Sequence, residues 1–99
     1  MFNHDLNLTD EQLSEVNRLA SLLTPPSEIA CLLGVSEDIF KSCIRRHDHP
    51  LRIAYLKGYS STMQKLRKNQ IDVAEAGSPM AVATCRQFCT EISYDLDDI

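Results

Sequence analysis

The chain has 99 residues, of which 43% are apolar and 24% are charged, and its formal net charge is −4. This length predicts one small domain with a modest core, and the balance of residue types is that of an ordinary globular protein. The first ten residues lack a basic start followed by an apolar run, so we expect no signal peptide, and no apolar run is long enough to cross a membrane. We expect a cytoplasmic protein with no membrane partner.

The four cysteines do not have the spacing of a metal site, because no two form a Cys-x-x-Cys pair and no paired histidines accompany them. In a cytoplasmic chain such cysteines are typically small buried apolar residues. His49 has no carboxylate or thiol partner that the sequence can identify. Nucleophile–base constellations and glycine-rich phosphate loops are also absent from the sequence. We therefore expect no metal, no cofactor and no enzymatic activity.

The remaining pattern is helical, because valine and isoleucine are scattered, apolar and polar residues do not alternate, and no Asn-Gly or Asp-Gly turn occurs. Thr9 and Gln12 have the spacing of a capping box, and apolar residues then recur every three or four positions. This pattern predicts a first helix over about residues 10–23, ended by the two prolines that follow it.

A helix-turn-helix pattern comes next, in which a second helix reaches about Leu33 and a third spans roughly residues 37–46. Ala30 allows the two helices to approach closely, and Gly34 permits a left-handed turn between them. Ser36 is the predicted N-cap of the third helix. Short patterns of this kind occur both in DNA-binding proteins and in helical scaffolds, so the turn by itself predicts a fold and not a ligand.

A long helix is predicted over residues 51–76. Apolar residues recur along one face of it in steps of three and four, at Leu56, Tyr59, Met63, Leu66 and Val73, with the polar Gln70 in the position between the last two. Such a face either packs on the domain core or forms an oligomer interface. Gly58 and the serines that follow it lower the local helix propensity and could introduce a kink or a break.

A helix stop and a new start follow in the "GSP" of residues 77–79, so a return helix is expected to run to about Tyr94. The acidic residues 95–99 are expected to fray. The predicted fold is all-α, with an N-terminal three-helix bundle containing the helix-turn-helix over residues 9–47. A helical hairpin over residues 50–94 follows, and the two parts together are expected to form one compact domain.

Charge is unevenly distributed along the chain. Residues 41–68 hold eight basic side chains and one acidic side chain, a local charge of +7, whereas residues 1–40 carry −6 and residues 69–99 carry −5. A basic segment of this kind favours contact with phosphates. The candidate DNA-binding residues, on the third helix and the start of the long helix, are Ser36, Lys41, Ser42, Arg45, Arg46, Arg52 and Lys57.

Glu37 and Asp38 oppose DNA binding. Carboxylates in the first turn stabilise a helix through its dipole, but at the entrance of a recognition helix they repel phosphates. Two interpretations therefore stay open. The chain either binds double-stranded DNA, or is a protein-interaction (adaptor) bundle that keeps the helix-turn-helix shape without binding DNA.

The order of these elements resembles that of the small terminase subunits of tailed phages and related helix-turn-helix proteins of mobile elements. In those proteins the DNA-binding unit precedes an Ala-Tyr start with a nearby glycine, a long basic helix, a Gly-Asn/Ser-Pro turn and a short return helix. The matching positions, within about residues 19–92, are Ala54, Tyr55, Gly58, Leu66, Arg67, Ala74, Gly77, Ser78, Pro79 and Ala81. The resemblance implies sequence-specific DNA recognition and assembly of a homo-oligomer through the hairpin of residues 51–94.

Overall fold

The structure, a computed structural model, describes residues 6–97 and is all-α over that range, which confirms the predicted class. The helices are α1 (Asp10–Ser21), α2 (Pro26–Leu33), α3 (Glu37–Ile44), α4 (Pro50–Glu75) and α5 (Pro79–Asp97). The chain divides into two compact units, Met1–Thr62 and Met63–Ile99, and α4 contributes residues to both. Within residues 6–97, none of these helices combines the length and the apolar character that a membrane crossing requires.

The start of α1 is fixed by the predicted capping box. The backbone N–H of Gln12 donates to the Thr9 hydroxyl at 3.1 Å, and the backbone N–H of Thr9 donates to the Gln12 side-chain oxygen at 2.9 Å. The helix ends at Ser21, two residues earlier than predicted, because Leu22 and Leu23 form a turn in which Leu23 has a φ of 60°. The capping box therefore sets the start of α1 as predicted, and the turn at Leu22 and Leu23 sets its end.

The connection between α2 and α3 has the predicted turn chemistry. Gly34 adopts a left-handed conformation with a φ of 72°, and the backbone N–H of Val35 donates to the carbonyl of Ala30 at 3.0 Å. The Ser36 hydroxyl then accepts from the backbone N–H of Ile39 at 3.4 Å, as an N-cap of α3. The two helices are thus joined by a short, hydrogen-bonded turn.

The core of the first unit draws on all four helices that contribute to it. Its largest fully buried side chains are Phe40, Ile29, Leu51, Val16 and Cys43. Cys43 fits the expectation that the cysteines are small buried residues, but the same expectation is wrong for Cys31 and Cys89, which are exposed on the outer sides of α2 and α5. None of the four cysteines is in a disulfide bond.

Gly58 lies where α4 crosses α1, and α4 continues through it, so the break that this glycine could have introduced does not occur. A Cβ atom at this position would overlap the carbonyl oxygen of Asn17 and lie 3.1 Å from the Cβ of Ala20. The Asn17 side chain donates to the carbonyl of Ala54 at 3.3 Å, and the Thr62 hydroxyl donates to the carbonyl of Ser21. The glycine therefore permits close packing of two helices.

The second unit contains the end of α4, the turn and α5. Gly77 has a φ of 105°, and the backbone N–H of Ser78 donates to the carbonyl of Val73 at 3.3 Å, which closes α4 as predicted. The Ser78 hydroxyl accepts from the backbone N–H of Ala81 at 3.3 Å and so begins α5.

The α5 helix continues to Asp97, three residues beyond the predicted end at about Tyr94, and residues 98 and 99 lie outside the described residues. No glycine or proline follows Pro79, so the sequence contains no residue that would stop the helix earlier.

We expect Gly58→Ala to lower the free energy of unfolding by about 2 kcal/mol, because the added methyl group forces α1 and α4 apart. Helix propensity alone predicts the opposite sign, since alanine is favoured over glycine in a helix interior by about 1 kcal/mol. Denaturant unfolding measures the difference. Ser60→Ala, at an exposed position of the same helix, is the control and should change stability by less than about 0.5 kcal/mol. A gain in stability for Gly58→Ala would contradict the close contact.

Candidate nucleic-acid interface

The α3 helix has one buried face and one exposed polar face. Phe40 is fully buried and Cys43 is 1% exposed, so both point into the core. Asp38, Ser42 and Arg45 are exposed and follow one another in steps of four and three, which places them on one side of the helix. We call these three residues the α3 outer face. Their side chains are directed away from the core that holds the helix in place.

The first turn of α3 is acidic, but one of its two carboxylates is paired. The Lys41 ammonium lies 2.9 Å from a carboxylate oxygen of Glu37, one helical turn away, and both side chains are partly exposed. The Ser36 hydroxyl is occupied by its N-cap bond to Ile39. Two of the residues predicted to bind DNA therefore also have a structural role at the helix start.

The other end of α3 is basic. Arg45 is the C-cap and Arg46 follows it in the bend after the helix, because α3 ends two residues earlier than predicted, and both side chains are exposed. The Arg52 guanidinium, from the first turns of α4, donates to the carbonyl of Ile44 at 2.8 Å. Cations at a helix C-terminus are favourable, because they meet the negative end of its dipole. Three arginines therefore lie at the C-terminal end of α3, where the helix dipole favours positive charge.

Lys57 is exposed but lies on another surface. It lines a groove between α1 and α4 together with Asp10, Asn17 and Ile53. Lys57 follows Arg52 by five positions, which rotates it by roughly 140° around the α4 axis. The fold therefore groups Arg52 with α3 and leaves Lys57 apart from the other predicted residues.

His49 has a role that the sequence did not reveal. It is 7% exposed, and its Nδ1 atom accepts a hydrogen bond from the backbone N–H of Leu51 at 3.1 Å, while its carbonyl accepts from Ile53. These contacts make His49 the N-cap of α4, with Pro50 at the first helical position. The signal in the sequence is weak, because histidine is not among the preferred N-cap residues. This cap fixes the part of α4 that carries Arg52.

Titration is perturbed at Tyr55, near the start of α4. Partial burial is the main cause that raises the pKa of the Tyr55 hydroxyl, and the neighbouring Tyr59, whose ring stacks on it at 6.3 Å between centroids, contributes in the same direction. Neither ring belongs to the α3 outer face. Among residues 6–97, no three His, Cys, Asp or Glu side chains come together in a way that could hold a metal ion.

Comparisons with protein-family models, with curated proteins and with solved structures found no match for this chain.

Replacing Arg52 with methionine removes the hydrogen bond to Ile44 but keeps an unbranched side chain. We expect the free energy of unfolding to fall by only about 1 kcal/mol, because Arg52 is half-buried and solvent partly screens its hydrogen bond. Arg45→Met removes the same charge from an exposed position and should change stability by less than about 0.5 kcal/mol. Thermal or denaturant unfolding of both variants compares them, and equal effects would contradict a capping role for Arg52.

Proposed function

We propose that this chain is a non-enzymatic helix-turn-helix protein that binds double-stranded DNA through the α3 outer face. The observation that carries the proposal is the division of α3 into a fully buried face and an exposed polar face, with arginines gathered at its C-terminal end. A recognition helix needs such a division, because one face must be anchored while the other enters a major groove about 12 Å wide.

The residues of this surface suit different parts of a duplex. Arginine is the side chain that most often reads guanine, a serine hydroxyl can contact any base, and a carboxylate accepts from the amino group of cytosine. Arg45, Ser42 and Asp38 therefore carry the proposed base contacts. Arg46 and Arg52 lie at the edge of the surface and are assigned to phosphates. Arg52 retains N–H groups besides the one bonded to Ile44.

Charge distribution supports this orientation. The segment 41–68 carries +7, whereas the chain on either side of it is acidic, so the attraction to phosphate is confined to one region. Within α3 the positive charge lies at the C-terminal end, and Lys41 offsets Glu37 in the first turn. The phosphate contacts are accordingly proposed at the C-terminal end of α3, and the acidic first turn is proposed to point toward base edges.

The wider role follows the resemblance described above. We propose a terminase small subunit-like or regulatory protein of a phage or mobile element, which acts in the cytoplasm and assembles as a homo-oligomer through the hairpin of residues 51–94. Among residues 63–97, Ala81 is the one buried apolar residue, whereas larger apolar side chains such as Leu66 and Ile92 are 44% and 59% exposed. This exposure supports self-association through the second unit. Such exposure is typical of a surface that another chain covers.

A second candidate is an adaptor bundle that binds a protein partner and not DNA. Glu37 and Asp38 favour it, because a helix entrance that carries two carboxylates repels the phosphates on either side of a groove. The two candidates make opposite predictions for duplex DNA, and one titration separates them.

We expect the chain to bind random-sequence duplex DNA at low salt, with an affinity that falls linearly on a logarithmic scale as salt rises. Arg45→Glu should weaken binding at least about tenfold, because it removes a proposed base contact and places a carboxylate in the middle of the surface. Arg86→Glu, an equal charge change on exposed α5, is the matched control and should have little effect. Fluorescence anisotropy at several salt concentrations measures both quantities, with unfolding curves to confirm that each variant folds.

The absence of binding at low salt would overturn the DNA-binding proposal and favour the adaptor. Equal losses for Arg45→Glu and Arg86→Glu would instead overturn the assignment of the contact to α3.

A further inference from the structure

The α5 helix carries an apolar stripe with the spacing of a coiled coil. Its members follow one another in steps of three, four, three and four, at Val82, Cys85, Cys89, Ile92 and Leu96. We call these five residues the α5 seam. Ile92 is 59% exposed and Leu96 is 61% exposed, so the apolar surface of the seam is largely uncovered. Alternate steps of three and four are the pattern by which one helix packs along another.

The seam lies next to the side of α5 that contacts α4. Cys85 is half-buried, and Ile92 lines a cavity with Arg67 and Phe88, so these two seam residues lie at the border between the two sides. Ala81 is 3% exposed, and the Phe88 ring lies under the Arg67 guanidinium of α4 at 5.9 Å from its centroid. Ala81 and Phe88 are seven positions apart, so they mark one side of the helix, and the seam runs beside them. The second unit therefore has one helix side used within the hairpin and an adjacent side left for another partner.

We propose that the α5 seam joins two copies of this chain as an antiparallel coiled coil. The proposal rests on the self-association included in the proposed function and assigns it to one side of one helix. DNA binding is a separate property, because no residue of the α3 outer face belongs to the seam.

Length identifies a second α5 as the partner. The seam extends over 15 residues, or about 21 Å of helix. The helices α1, α2 and α3 have 12, 8 and 8 residues, too few to cover it, and the end of α4 already contacts α5 on the adjacent side. The α5 helix of a second copy has both the required length and the same alternate spacing, so two seams can cover each other over most of their length.

Charge decides the direction of the pair. Glu91, Asp95 and Asp97 lie in the last two turns of α5, whereas its first half contains Arg86 and no acidic residue. A parallel pair would place the carboxylates of both copies side by side. An antiparallel pair separates them and brings each acidic end near the N-terminus of the opposite helix, where the dipole favours negative charge.

The register follows from overlap of the two helices. In an antiparallel pair, the alternate spacings of the two seams match when Val82 lies opposite Ile92 of the second copy. Cys85 then lies opposite Cys89 of the second copy. This register overlaps nearly the whole of α5, whereas a shift by one heptad leaves several residues at each end unpaired. The two free thiols thus become a probe for both direction and register.

The first experiment measures mass by native mass spectrometry of the full chain. We expect a dimer or a higher oligomer that contains it, and Ile92→Glu should raise the dissociation constant at least about a hundredfold, because each dimer would bury two carboxylates without partners. Tyr94→Glu is the matched control, since Tyr94 is 71% exposed on the opposite side of α5 and should leave the mass unchanged. Circular dichroism checks that both variants are helical.

The second experiment uses brief thiol oxidation of dilute protein in a Cys31→Ser background. The antiparallel register predicts that Cys85→Ser and Cys89→Ser variants each fail to form covalent dimers alone, but form them when mixed. Crosslinking of each single variant by itself would overturn the antiparallel direction.

A wild-type chain that is monomeric would overturn self-association, while DNA binding by that monomer would leave the α3 proposal standing. An oligomer that Ile92→Glu does not weaken would overturn the seam alone.

Discussion

The close approach of α1 and α4 at Gly58 is the contact on which the first unit depends. Because Gly58 has no side chain, the α4 backbone can lie against the carbonyl of Asn17, and the side chains of Asn17 and Thr62 can then bond the opposite backbone. This packing holds the start of α4 where Leu51 is buried in the core and Arg52 reaches the end of α3. The contact between α1 and α4 therefore determines where Arg52 lies relative to the α3 outer face.

Electrostatics along α3 change sign from its first turn to its last. Glu37 and Asp38 complement the positive end of the helix dipole, and Arg45 complements the negative end, so the charges stabilise the helix whether or not a ligand is present. The same gradient gives the surface an orientation toward DNA, since an acidic end avoids phosphates and a basic end attracts them. Stability and recognition make compatible demands on these side chains, which is why the charges alone do not decide between a DNA-binding protein and an adaptor.

Features that depend on residues a few positions apart could be predicted from the sequence, including the capping box of Thr9 and the N-cap at Ser36. The inward and outward sides of α3 were also predictable, because helix periodicity alone decides them. Features that depend on how helices cross could not be predicted from the sequence. Gly58 has the sequence signature of a helix breaker until its neighbour α1 is known, and Lys57 looks like a partner of Arg52 until the rotation around α4 separates them.

Amide chemical-shift mapping of the isotope-labelled chain tests residue by residue whether α3 contacts duplex DNA. We expect a short random duplex at low salt to perturb the amides of residues 36–46 and of Arg52, and to leave those of residues 80–96 nearly unchanged. Perturbations confined to other helices, or none at all at concentrations where the chain stays folded, would contradict this contact.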